Sequence, residues 1–217
     1  MPATATETND ETNPSTRDRI LDTAELLIIE HGYAGTSLRA IANQADVNLA
    51  ATHYHFGSKQ GLIAAVIHRR MAPISAARLT ALDSLEAGPQ PLTIRAVVKA
   101  FLTPLYFDER NELLAVLPSL IGRVYGEPES LTKPLLEQEF TQVAARYINV
   151  LSTLLPDVPT EEVRWRFHFS IGAMIQLLRF HSPLGVASSH DQFIQGLDYL
   201  VNYTVAGLLQ TNSGTAV

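Results

Sequence analysis

The chain has 217 residues, 46% of them apolar, a formal net charge of −6 at pH 7 and no cysteine. That apolar share supports a sizeable core in one large domain or two small ones, and the lack of cysteine excludes disulfides, a thiolate nucleophile and cysteine-based metal sites. The start of the chain lacks a basic region followed by an apolar core and no apolar run approaches about 18 residues, so neither a signal peptide nor a membrane span is expected and a cytoplasmic location fits.

Charge is unevenly spread. Residues 1–15 hold Glu7, Asp10 and Glu11 and no base, residues 16–72 hold six basic and five acidic residues (+1), and residues 73–217 hold ten basic and fourteen acidic ones (−4). The middle segment is the one part that is not acidic, and it carries His31, His53, His55 and His68.

In chain order, residues 1–15 lack large apolar side chains after Met1 and are expected to form a disordered tail. A first helix opens near Ser15 or Thr16 and runs to His31, with Ile20, Ala24, Leu27, Ile28 and His31 on one stripe and Gly32 as its stop. Arg17 and Arg19, at its start, are either phosphate or minor-groove contacts or solvated charges. Thr36 to Ala45 places Leu38, Ile41, Ala42 and Ala45 at helical spacing behind a threonine cap. Asp46 and Val47 form a turn, Asn48 caps a third short helix and Gly57 ends it. On that helix Ala51, Thr52 and Phe56 point inward, while Leu49, Ala50, His53, Tyr54 and the following Lys59 lie on or beside the outer face. Two short helices joined by a tight turn, the second presenting polar groups, form the pattern of a helix-turn-helix, whose second helix fits the major groove of DNA.

Ser58 caps a further helix that reaches about Ala87, and Pro73 inside it predicts a kink near Arg69 to Pro73. That kink is either a passive bend or part of a route from a ligand site to the reader. Gly88, Pro89 and Pro91 break the chain. Beyond them the pattern is helical: Leu92–Phe107, Glu109–Tyr125, Ser130–Leu155, Thr160–His181 and His190–Leu209, with Pro104 and Pro118 expected to bend or shorten two of these. Residues 211–217 read as a frayed tail. The expected organisation is all-α: a tail (1–15), a helix-turn-helix DNA-binding domain (16–72), a larger helical ligand-binding and dimerisation domain (73–210) and a second tail.

Residues 20–66, with a first helix ending in His-Gly-Tyr, then T-S-x-R-x-I-A, Val47-Asn48 and H-F-x-S-K before an apolar helix, resemble the amino-terminal domain of the TetR family of transcriptional regulators. Departures are Asp46 where the family usually has Gly, Thr52 where it has an apolar residue and His53 where it has Tyr. The resemblance implies that Ser37, Tyr54 and Lys59 hold phosphates of a double-stranded operator. It implies too that Arg39, Leu49, Ala50 and His53 face base edges or thymine methyls, with Thr36 and Asn48 completing the DNA-binding set. A reader charge near +1 implies affinity resting on two copies engaged together, and a modest salt dependence.

The last two helices are apolar on more than one side and must be covered on both. Trp165, Phe169, Ala173 and Phe180 on one, with Ile194, Leu197, Val201 and Val205 on the other, are the expected face of a two-fold four-helix interface, which matches where TetR-family proteins dimerise. The alternative is a buried helix pair in a monomer. A ligand pocket is expected from the surplus of large apolar groups: Phe101, Leu105, Tyr106, Leu117, Ile121, Tyr125, Phe140, Tyr147 and Ile171, with Arg123, His168 and Gln176 as polar anchors. The GRVYGEP and RWRFHFSIGAM stretches are loosely similar to family members grouped with fatty-acid-responsive regulators, which biases the effector toward an amphipathic or acyl-type molecule.

There is no Gly-rich phosphate loop, no G-x-S-x-G turn and no H-E-x-x-H helix, and His53 and His55, two apart on a helix, diverge. Neither enzyme activity, cofactor nor metal is expected. The reading is a ligand-responsive homodimeric repressor; its alternatives are an activator of the same fold, or a helical ligand-binding protein that uses the helix-turn-helix for protein contact.

Overall fold

The computed structural model describes the backbone of residues 14–105, 119–120, 122–124, 126–180 and 190–210, and among these no strand occurs. The fold is all-α, a helix-turn-helix domain followed by a larger helical one. Internal contacts divide the chain into two units, Met1–Val66 and Ile67–Val217, so the division falls earlier than the 72/73 boundary read from the sequence.

In the first unit, α1 spans Thr16–Gly35, α2 Leu38–Gln44 and α3 Leu49–Phe56, and the first residues of α4 (Lys59–Ala87) complete it. Ser15 caps α1 by accepting from the Asp18 backbone N–H at 3.1 Å. Ile20, Leu21, Ala24, Leu27 and Ile28 of α1, Ile41 and Ala42 of α2, Thr52 of α3, and Leu62, Ile63 and Val66 of α4 are buried. Burying side chains of this size stabilises the fold by about 1.5 to 3 kcal/mol each, which is what holds helices of seven and eight residues that would not persist alone. Gly32 breaks α1 with φ 73 and ψ 179, a backbone region essentially closed to other residues. His31, expected on the buried stripe, is exposed: the break leaves it at the end of the regular turn, beside Glu30.

Thr36 is not the cap of α2. It is 2% exposed, and its hydroxyl reaches the carbonyls of Gly32 (2.7 Å) and Leu27 (3.0 Å), tying the broken end of α1 to its own last regular turn. Ser37 takes the capping role, its Oγ accepting from the Ala40 N–H at 3.1 Å.

In the second unit, α5 spans Ile94–Leu102 and ends in a short 3₁₀ turn, Thr103–Leu105, centred on Pro104; the proline that was expected to shorten this helix stands where it stops. Then come α6 (Glu129–Leu154), α7 (Thr160–Phe180) and α8 (His190–Leu209). Helix α5 packs on α6 and α8, and α7 packs on α6 and α8. Most of the expected Glu109–Tyr125 helix, with Pro118, lies outside the described residues. Helix α4 runs from Lys59 to Ala87 with Pro73 inside it and carries residues of both units.

At the centre of this unit lie four side chains. Arg78 and Tyr147 are fully buried, and the Phe101 ring stands edge-on to Tyr147 (5.1 Å between centroids) and to Phe167 (4.8 Å). The Arg78 Nε donates to the Phe101 carbonyl at 2.8 Å, its Cζ lies 4.0 Å from the Phe101 ring centroid, and Tyr147 donates its hydroxyl to the Arg78 carbonyl at 2.8 Å. Burial holds the Tyr147 phenol well above the usual tyrosine range, outweighing the Arg78 charge that acts the other way.

Candidate functional site

The turn between α2 and α3 is held from outside itself. The Arg19 guanidinium donates to the Ala45 carbonyl at 2.7 and 3.2 Å and to the Asp46 carbonyl at 2.6 Å, so this arginine works on the protein's own backbone and not as the phosphate contact or solvated charge considered from the sequence. Asp46 has φ 52, a left-handed conformation that costs a non-glycine residue about 1 to 2 kcal/mol. The arginine bonds, which satisfy carbonyls that α2 leaves open at its end, offset that cost.

Helix α3 then starts on Asn48, whose Oδ1 accepts from the Ala50 N–H at 2.9 Å. Thr52 is its fully buried residue and donates its hydroxyl to the Leu49 carbonyl at 2.6 Å. The family's apolar residue is thus replaced by a threonine that satisfies its polar group within the helix. Gly57 ends the helix with φ 71. Gly61 lies so close to the end of α3 that a Cβ there would sit 2.3 Å from the Phe56 carbonyl oxygen, so a side chain at this position would force the α3–α4 turn apart.

The outer face of α3 is open. Leu49, Ala50, His53, Tyr54 and His55 are exposed, Tyr54 at 86%, and Ser37 and Arg39 of the α2 segment are exposed as well. Within the expected DNA-binding set, Ser37 and Asn48 use their side-chain oxygens as caps, which leaves their backbone N–H groups at two helix starts, where anions are favoured. Lys59 places Nζ 4.1 Å from the Tyr33 ring centroid, and Arg17 lies 5.5 Å from that of Phe56. Thr36 is the one expected member that cannot face a ligand, because it is buried.

In the second unit Phe101 and Tyr147 line a cavity of about 10 Å³, room for a single water, together with Phe167, Leu151, Ser170 and Thr204 among others. Ile171 and Phe140 are half-buried. Arg123, His168 and Gln176 are exposed, and His168 stands edge-on to Trp165 at 5.9 Å, so these polar residues do not converge on that cavity. The side chain of Leu105, and Tyr106, Leu117, Ile121 and Tyr125, lie outside the described residues. Sequence reasoning missed Arg78. Its signal was a lone cation in the stripe Met71, Ile74, Arg78, Leu82, whose other members are all buried and apolar.

On α7, Trp165 (54%) and Phe169 (63%) are exposed, with Ala173 half-buried between turns. On α8 the expected face is turned: Leu197 (8%) and Val201 (2%) are buried within the chain, in register with Leu200, Thr204 and Leu208, and Ile194 and Val205 are half-buried. Tyr199, Tyr203 and Leu209 are the large residues that this helix exposes instead. The side chain of Phe180 lies outside the described residues. Among the described residues no helix is long and apolar enough to cross a membrane.

A capped second helix with an open outer face, on a turn held by an internal arginine, defines a helix-turn-helix DNA-binding protein. Residues 20–66 match the model for bacterial regulatory proteins of the tetR family, and residues 99–207 match the tetracyclin repressor-like C-terminal domain. The chain therefore belongs to the TetR family of transcriptional regulators. It is 47% identical over 49 residues to the probable HTH-type transcriptional regulator YttP of Bacillus subtilis, a match covering 23% of this chain and 24% of that one. It is 26% identical over 129 residues to the Staphylococcus aureus biofilm operon icaADBC HTH-type negative transcriptional regulator IcaR, covering 56% of this chain and 66% of that one. These matches thus span under a quarter and just under two thirds of the relatives' lengths. A tetR-family regulatory protein from Rhodococcus RHA1 shares the fold with a TM-score of 0.62 at 17% identity, covering 90% of this chain and 98% of that one.

Proposed function

We propose that this regulator is a homodimeric, effector-responsive repressor. It holds a pseudo-palindromic operator in the cytoplasm and releases it when a small apolar or amphipathic molecule enters the second unit. The observation that carries the DNA-reading part is the outer face of α3, where Leu49, Ala50, His53 and Tyr54 stand exposed while the helix buries Thr52 alone. Arg39, Leu49, Ala50 and His53 select sequence; Ser37, Tyr54 and Lys59 fix register on phosphates. Dimerisation is supported by the aromatic groups that α7 and α8 leave in solvent, Trp165, Phe169, Tyr199 and Tyr203, a concentration that a monomer rarely exposes. Repression is supported by the likeness to IcaR, named as a negative regulator. An apolar effector is favoured by the Phe101, Tyr147 and Phe167 cluster around a small cavity. No side-chain constellation in this reading performs covalent chemistry.

Selection of duplexes from a random pool with the purified full chain tests it. Enrichment of an inverted repeat, lost on addition of a carboxylate-bearing or neutral amphiphile of matching size, is the expected result; enrichment of no repeat overturns the reading. On the enriched site, Arg39→Ala is expected to reduce discrimination between matched and mismatched duplexes by about 1 to 3 kcal/mol. A uniform loss on all duplexes would make Arg39 a phosphate contact.

A further inference from the structure

His53 stands exposed on the outer face of α3 and is joined to Gly57 twice. The Gly57 N–H donates to the His53 carbonyl at 2.8 Å, and the His53 ring nitrogen Nδ1 lies 3.2 Å from the Gly57 carbonyl oxygen. A carbonyl oxygen can only accept, so in this pair Nδ1 carries the proton. A neutral imidazole has one N–H, and the bond to Gly57 therefore leaves Nε2 as a bare acceptor. The same bond orients the ring, so the lone pair is presented from a fixed place on the helix.

We propose that this lone pair makes His53 a selector of amino-bearing bases at one position of each operator half-site. The inference rests on the reading of α3 as the major-groove helix. In the major groove adenine and cytosine present amino donors, N6 and N4, whereas guanine and thymine present only acceptors there apart from the thymine methyl. Nε2 accepts from an amino group and meets a keto oxygen lone pair to lone pair. Every base pair contains one amino-bearing and one keto-bearing base at its major-groove edge, so what His53 reads is the orientation of the pair: A·T over T·A and C·G over G·C on the strand it faces. A tyrosine, whose hydroxyl both donates and accepts, would make no such choice. The departure from the family's usual tyrosine at this position thus exchanges a tolerant contact for an orientation-reading one.

The experiment is duplex selection at pH 8 with the full chain and with His53→Ala and His53→Gln. The wild type is expected to enrich A or C at one position per half-site, and inverting that pair in a fixed site should weaken binding about tenfold, the effect of one unsatisfied polar contact. His53→Ala should erase that preference while still enriching the repeat. His53→Gln, which sets an acceptor beside a donor, should narrow the preference to adenine. If wild type and His53→Ala enrich the same repeat with the same letters, the proposal is overturned and the DNA-reading function stands; if neither enriches a repeat, both fall. Nitrogen NMR of the histidine-labelled DNA-free protein gives an independent arm: the proton is expected on Nδ1 of His53, and finding it on Nε2 overturns the proposal whatever the duplexes show.

Discussion

Thr36 and Arg19 turn polar groups inward that the sequence alone would offer to DNA. The Thr36 hydroxyl bridges two carbonyls on either side of the Gly32 break, and Thr36→Val keeps the volume while leaving those oxygens short of a donor in a buried place. The expected cost is about 1 to 3 kcal/mol of unfolding free energy by urea titration, with operator affinity per folded molecule unchanged. A substitution that left stability intact and weakened binding would return Thr36 to the DNA. Tyr147 gives a pH prediction. Its folded-state pKa lies above the unfolded one, so its contribution is fully present below pH about 10 and declines as pH rises, because the unfolded chain releases the proton first. The decline approaches about 1.4 kcal/mol per pH unit from this group. Denaturation at pH 9, 10 and 11 should show Tyr147→Phe, less stable at neutral pH through loss of the bond to the Arg78 carbonyl, converging with wild type as pH rises.

At the level of helices, periodicity and punctuation were enough to locate nearly every described element, because caps and breakers act locally: Ser15, Asn48 and Gly57 each begin or end a helix where expected, and the helix that Pro104 was expected to bend or shorten stops at Leu102, short of Phe107. What periodicity could not decide was which face of a doubly apolar helix looks inward. In α8 two stripes of similar hydropathy run side by side, and the one containing Leu197 and Val201 packs against α5 and α7, leaving Tyr199 and Tyr203 outside. The choice depends on neighbours distant in sequence. The same blindness put Arg78 out of view and hid that His168 and Gln176 stand exposed. Helix α4 carries the element-scale prediction. Because it is one helix with residues in both units, and because Pro73 lacks the N–H that would close the turn before it, we expect Pro73→Ala to change the effector's effect on operator affinity by about fivefold or more, the low end of ordinary coupling energies. Effector-free affinity, measured in the same titration, should move less. Equal changes in both would reduce the proline to a bend.

For the whole molecule, charge and oligomeric state are linked. A chain of net charge −6 with a reader segment near +1 has little long-range attraction for DNA. Besides Arg19, whose guanidinium bonds backbone carbonyls, the cations of the first unit are Arg17, Arg39 and Lys59; with these three from each of two copies on phosphates, the slope of log affinity against log salt should be no steeper than about −5. Trp165→Asp with Phe169→Asp should give monomers by sedimentation and lower operator affinity by about a hundredfold or more, since the second half-site is then no longer held at high local concentration; retention of the dimer would move the interface off α7. One further consequence follows from how α3 is held. Its single buried side chain, its cap and the arginine-clamped turn before it leave Leu49, Ala50, His53, Tyr54 and His55 outside the buried core. Mutational drift can therefore rewrite what this helix reads without first unfolding it, so duplicated copies of such a gene can diverge to new operators by a handful of neutral-stability steps, and exchanging those five positions is a direct route to reprogramming it.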